Sequence, residues 1–322
     1  MNSIFGIAKF GSERGGRPPA AVEISPEGVL AAALSTPDQR PVYASFQPLA
    51  AGTIVPGIGE PNVRAPETVA AAVRTALGQV SPRNRAVTLV LPDTVVRVFV
   101  LDFDSLPSRA AEVNTVLRFR LRKIVPFDVE HAALTYQTLK ANREGCKVLV
   151  AVMPGSVLTE YEAVVREAGY EPGAVLSSTL AALEAFDSTE PMLIANMSPL
   201  ALTTAIAHGH DLLLYRTIDL PTEPARRLDE VQRGIAVAAA YFEDKLVTRP
   251  RYLHYAGVGN ADAFARWINH PELSVVELAH RPESAVVNAL HLSDEGAVRA
   301  VNSNSIVLTS IAGVAGALAG VR

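Results

Sequence analysis

Cysteine occurs once in these 322 residues, at Cys146, so no intrachain disulfide can form and no cysteine metal cluster can be built. An excess of charge of one sign is missing too: 29 basic residues stand against 33 acidic ones, a formal net charge of −4. That near balance removes the broad attraction on which nucleic-acid binders depend, so no nucleic-acid partner is expected. Lysine is scarce, five of the 29 basic residues, and the arginine bias reads as genome composition rather than as a phosphate site. The N-terminus carries no apolar stretch with a small-residue cleavage site. The uncharged run from Ile306 to Val321 is shorter than the roughly 20 residues that cross a bilayer. It reads as a buried C-terminal helix, with Gly313, Gly316 and Gly320 spaced for close packing. Without disulfides or a secretion signal, a cytoplasmic location fits best.

What is present is core-forming material. With 49% hydrophobic and 19% charged residues the chain is globular, and its length, at about 150 residues per domain, predicts two domains or one duplicated fold. Residues 1–20 read as a flexible, Gly/Pro-rich arm. Ala21–Ile24, Val29–Leu34 and Val42–Phe46 then read as three strands joined by polar turns. A helix follows at Pro66–Leu77, and two β-branched runs, Val87–Leu91 and Val95–Leu101, flank Pro92-Asp93-Thr94.

A second helix is expected behind Leu106-Pro107, with Ser108 as its cap and Pro126 as its stop. It carries Val113, Val116, Leu117, Leu121 and Ile124 on one face. Strands at Ala132–Leu139 and Val148–Met153 come next, then helices at Val157–Ala168 and near Ser177–Ala185. The opening pattern then repeats: Met192–Asn196, Leu200–Ala207 and Leu212–Ile218 form another strand-turn-strand-turn-strand unit. Val22-Glu23-Ile24-Ser25-Pro26 and Ala195-Asn196-Met197-Ser198-Pro199 thereby occupy equivalent places, and such a repeat predicts a duplicated α/β lobe. A long helix (Ala225–Asp244), the strand Tyr252–Ala256, the helix Ala261–Ile268, the strand Ser274–Leu278 and the closing helix complete the chain.

Two lobes that each open with a β-meander resemble the actin-like ATPase superfamily, an α/β, ribonuclease-H-like duplicated fold. The likeness narrows at Leu106-Pro107, the helix behind it and Lys123-Ile124-Val125-Pro126-Phe127-Asp128, continuing to Leu134-Thr135-Tyr136. This segment resembles the PilM family of type IV pilus assembly proteins, in which a helix ending in Ile-Pro-Phe precedes an acidic step and an extended strand. Ala317–Arg322 is similar to that family's C-terminal end. The resemblance implies a first lobe at 21–188 with an inserted subdomain at about 92–154, and a second lobe at 189–322. It implies a cytoplasmic scaffold, held at the inner membrane by a partner resembling PilN whose N-terminal tail it grips, and linked to the assembly motor. Arg118, Arg122, Pro126, Phe127 and Tyr136 become the candidate partner-binding residues. The basic run Arg118, Arg120, Arg122 and Lys123 reads either as an ordinary solvated face or as a contact for a partner or anionic lipid. The cytoplasmic domain of the type II secretion L protein and a true ATPase or kinase of the superfamily are the alternatives.

Actin-like ATPases hold ATP and magnesium with an Asp-x-Gly in each meander turn, because backbone N–H groups must approach the phosphates and a carboxylate must hold the metal. Here the first turn reads Glu23-Ile24-Ser25-Pro26-Glu27-Gly28 and the second Asn196-Met197-Ser198-Pro199. Both lack the glycine, both place a proline without an N–H in the turn, and the second lacks the carboxylate. Gly257 and Gly259 match the superfamily's adenosine turn or a tight strand-to-helix connection. The candidate nucleotide residues are therefore Glu23, Ser25, Gly28, Asn196, Ser198, Gly257 and Gly259 in a decayed site. No catalytic residue is expected, and the cofactor is none or weakly bound ATP with magnesium. His208, His210 and Asp211 read as turn residues rather than metal ligands, and Cys146 as core.

Overall fold

The structure is a computed structural model that describes residues 17–34, 42–59, 61–82, 84–143, 145–184, 189–209, 211–278 and 311–319. The N-terminal arm up to residue 16, His210, Ala185 and the flanks of the closing helix (306–310 and 320–322) lie outside the described residues.

Two five-stranded sheets carry one topology twice. In the first, β1 (Ala20–Ile24), β2 (Gly28–Leu34) and β3 (Val42–Pro48) form an antiparallel meander. Strands β4 (Ala86–Leu91) and β8 (Glu171–Ser177) extend it in parallel, in the order β3-β2-β1-β4-β8. In the second, β9 (Met192–Met197), β10 (Ala201–His208) and β11 (Asp211–Asp219) form the meander. Strands β12 (Tyr252–Gly257) and β13 (Ser274–Glu277) add in parallel, in the order β11-β10-β9-β12-β13.

Helices sit at matching points of the two units. α1 (Pro66–Val80) joins β3 to β4 as α5 (Pro224–Leu246) joins β11 to β12. α3 (Gly155–Glu167) precedes β8 as α6 (Ala261–Ile268) precedes β13. Between β4 and α3 the first unit carries an insertion: β5 (Arg97–Phe103), α2 (Ala110–Leu121), β6 (Ala132–Asn142) and β7 (Gly145–Pro154), with a third sheet of order β5-β7-β6. The alternate residues Cys146, Val148, Val150 and Val152 of β7 pack under Val113, Leu117 and Leu121 of α2. Period-2 alternation aims the intervening Leu149, Ala151 and Met153 at the main core.

The first sheet is covered on both faces, which is why every residue of β2 is buried. Val29, Ala31 and Ala33 join the core beneath α1, while Leu30, Ala32 and Leu34 face the closing helix α7 (Ala312–Ala319) and α4 (Ser178–Leu183). α7 thus follows the second unit in sequence and packs on the first. Its approach needs glycine: a Cβ on Gly316 would lie 1.8 Å from the Ala181 carbonyl oxygen.

Two expectations fail locally, and one strand is unforeseen. Strand β8 contains Pro172 and Gly173, which interrupt a strand pattern; as an edge strand it needs no N–H from proline on its outer side. Ser108 does not cap α2, whose cap position is Arg109 with no side-chain bond. The helix ends at Leu121, not at Pro126, so Ile124 lies beyond it and is 46% exposed rather than on the buried face.

Candidate functional site

The two meander turns face each other across a cleft between the sheets. It is lined by Glu23, Ser25, Pro26 and Glu27 from the first, Asn196, Met197 and Ser198 from the second, Gly257 and Val258 after β12, and Ala312 and Gly313 of α7. Pro92, Asp93 and Ser178 line it as well. This is the carboxyl end of the parallel strands β1 and β9, where open α/β sheets place ligands.

The turns are near copies. Ser25 N–H donates to the Gly28 carbonyl at 2.9 Å and Ser198 N–H to the Ala201 carbonyl at 2.9 Å. The Ser25 hydroxyl donates to that same Gly28 carbonyl at 3.2 Å. The Ser198 hydroxyl oxygen accepts from the N–H groups of Leu200 at 3.3 Å and Ala201 at 3.0 Å. Arg227 of α5 holds the second turn from behind through the Ser198 carbonyl at 3.2 Å. The N–H groups of Ser25, Gly28, Ser198, Leu200 and Ala201 are therefore spent inside the turns, and Pro26 and Pro199 have none to give.

Of the seven nucleotide candidates, Glu23, Ser25, Asn196, Ser198 and Gly257 line the cleft, whereas Gly28 and Gly259 are not among its lining residues. Gly28 is instead required by strand packing: a Cβ there would lie 2.3 Å from the Gln47 carbonyl oxygen on β3. Gly257, at φ +120°, lies so close to β9 that a Cβ would meet the Met197 carbonyl oxygen at 2.0 Å. The turn it opens is filled from within, since the Tyr255 hydroxyl donates to the Val258 carbonyl and the Tyr255 ring stacks on Phe264 with centroids 4.2 Å apart.

Electrostatically the cleft is acidic. Alternation along β1 puts Glu23 on the face that carries Ala21, toward α7, and a Cβ on Gly313 would lie 2.6 Å from its Oε2. That oxygen is buried without a hydrogen-bond partner. Burial, then the nearby charges of Asp93 and Glu27, push the carboxyl up to about 7 against a lowering hydrogen bond from Ser178.

Asp93 is the residue that sequence reasoning missed. Its carboxylate accepts from the Thr179 N–H at 3.0 Å, from the Thr179 hydroxyl, from the Tyr215 hydroxyl at 2.9 Å and, weakly, from Asn196 Nδ2 at 3.4 Å. Asn196 Nδ2 also donates to Thr179 Oγ1 at 2.9 Å. Burial and the Asp93 charge hold the Tyr215 phenol well above its usual range. One carboxylate thereby ties β11 and β9 of the second unit to α4 of the first. Flanked by Pro92 and Thr94, Asp93 carries only turn signals, and its partners lie 86 to 122 residues away.

The partner-binding candidates lie on the insertion. The Arg118 guanidinium donates to the carbonyls of Val129 and Ala132, the latter at 3.1 Å, and so fastens the loop into β6 rather than standing free. Arg122 pairs with Glu130 on the surface. Phe127 and Tyr136 are half-buried against the cluster under α2, and Pro126 is exposed. Cys146 is buried. Among the described residues no group of three or more His, Cys, Asp or Glu side chains is placed to hold a metal ion, and no helix is long and apolar enough to cross a membrane.

Comparison with solved structures ties this geometry to a fold. The chain is similar to a chain of the PilM-PilN type IV pilus biogenesis complex over 96% of its own length and 100% of that chain, with a TM-score of 0.73 at 17% identity. The chain has the actin-like fold. It is also similar to the cytoplasmic domain of EpsL, an inner membrane component of the type II secretion system of Vibrio cholerae, with a TM-score of 0.50 at 14% identity, covering 84% of this chain and 91% of that one. A Bacteroides thetaiotaomicron protein with an actin-like ATPase fold gives a TM-score of 0.43 at 12% identity over 80% of this chain and 90% of that one. No protein-family model and no curated protein matches the sequence. The expected resemblance to PilM is borne out as likeness of fold.

Proposed function

We propose that this protein is a cytoplasmic actin-like scaffold of type IV pilus assembly, which binds the N-terminal tail of an inner-membrane partner resembling PilN and is held at the membrane through it. The observation that carries the reading is likeness to a chain of the PilM-PilN complex along the whole of that chain, combined with meander turns that are closed on themselves. The cleft supports a scaffold rather than an ATPase. Its cavity of about 60 Å³ is far below the roughly 300–1,000 Å³ of small-molecule sites, and its carboxyls face a place where a triphosphate would need donors. Nucleotide chemistry is therefore degenerate, and no hydrolytic step is assigned. An extended tail has a strand edge to join: within the third sheet, β7 is central and β6 pairs only with β7 among the described residues.

Two titrations test this. The synthetic N-terminal cytoplasmic tail of the partner, sought among any single-span membrane proteins encoded in the same operon, should raise the melting temperature, in proportion to RT ln(1 + [L]/Kd) or about 2.7 kcal/mol at a hundredfold excess over Kd. Absence of any shift with every tail from the operon sinks the scaffold reading. Calorimetry with ATP and magnesium should give no micromolar site, and such a site would overturn the degenerate cleft.

A further inference from the structure

The segment 119–126 is an exposed run of mixed character. Phe119 is 63% exposed at the end of α2, and Ile124, in the turn that follows, is 46% exposed. Arg120, Arg122, Lys123 and Pro126 between and after them are exposed as well. The Lys123 ammonium lies 5.8 Å from the centroid of the Phe119 ring, so apolar and cationic groups form one patch.

Its charge is not neutralised from within. Between residues 106 and 131 the carboxylates are Glu112, Asp128 and Glu130, and each is taken: Glu112 by Arg109 at 3.6 Å, Asp128 by His131 at 2.5 Å, Glu130 by Arg122. Arg118 is occupied with carbonyls. Arg120 and Lys123 are left with no acidic partner among the described residues, flanking a protruding phenylalanine.

We infer that this patch is a direct contact for an anionic lipid surface, with Phe119 and Ile124 entering the headgroup boundary and Arg120 and Lys123 meeting the phosphates. Interfacial segments combine these residue types. An exposed ring suits a deformable lipid layer, whereas anchors in protein interfaces are seated in well-packed pockets. Two cations and two apolar side chains make a weak contact, of the kind that needs a second attachment to hold a protein at a membrane. The contact therefore adds to any grip on a membrane-protein tail.

The test is co-sedimentation of the full chain with phosphatidylglycerol/phosphatidylcholine vesicles and with phosphatidylcholine vesicles, at low and high salt. Binding is expected to the anionic vesicles alone and to weaken as salt rises. The double change Arg120→Gln, Lys123→Gln should weaken it about 25-fold, near fivefold for each cation. Phe119→Ser with Ile124→Ser should abolish it, and both variants should melt like the parent because the altered side chains are exposed. Equal binding to neutral vesicles, no binding to either, or unchanged binding by both variants overturns the inference. So does a patch whose changes disrupt only capture of an acidic protein while vesicles are ignored. A chain that binds vesicles but fails to bind any tail upholds the lipid contact while sinking the scaffold reading.

Discussion

Replacing Glu23 by glutamine should stabilise the protein at alkaline pH and do so by an amount set by pH. The folded carboxyl sits at about 7 against an ordinary 4.5, because burial opposes its ionisation. Over that interval the folded chain holds a proton the unfolded chain has released, so stability falls as pH rises from 4.5 to about 7 and then levels. At about 1.4 kcal/mol per pH unit, the ionised carboxylate costs the fold about 3 kcal/mol once pH exceeds both values. Glutamine keeps the shape and removes the charge. Urea unfolding of parent and Glu23→Gln across this range should give curves that lie close at pH 4.5 and separate progressively, the variant being more stable by up to about 3 kcal/mol above about pH 8. A separation that does not change with pH would refute the reasoning, since it would mean that Glu23 is solvated in the folded state.

Gly316→Ala places a methyl group 1.8 Å from the Ala181 carbonyl oxygen, a backbone atom that cannot swing aside, and should cost about 2–4 kcal/mol in a thermal melt. Gly313→Ala should cost less, because the nearest atom is the flexible end of Glu23. Asp93→Ala leaves the Thr179 N–H unpaired in a buried setting and the Tyr215 hydroxyl with only Ser177 Oγ at 3.3 Å, and should destabilise by about 2–5 kcal/mol. Limited proteolysis should then cut faster between the two units, and an unchanged pattern would remove Asp93 from its tying role.

The duplicated meander was legible because each of its strands is bounded by turn residues and the pair Ser25-Pro26 and Ser198-Pro199 recurs in register. Helices α1, α3, α5 and α6 were legible from their periodic apolar faces. What escaped was decided by partners distant in sequence. Strand β8 exists because β4 offers it a ladder, a fact that Pro172 and Gly173 conceal. Asp93 matters because Tyr215 and Thr179 converge on it. Ile124 fits the helical period of α2 yet lies past its end, so periodicity placed it in a core that it does not reach. The prolines of the two turns were visible at once; that the turns also consume their own N–H groups needed coordinates.

The packing of α7 on the first sheet bears on how the chain is made. A ribosome delivers residues 20–183 long before residues 311–319, so the first unit leaves the exit tunnel with α4 in place but without the α7 cover over Leu30, Ala32 and Leu34. At roughly 5–20 residues per second that interval lasts on the order of ten seconds. Nascent first units remain sticky throughout it, and chaperone demand during synthesis should fall once the last helix emerges.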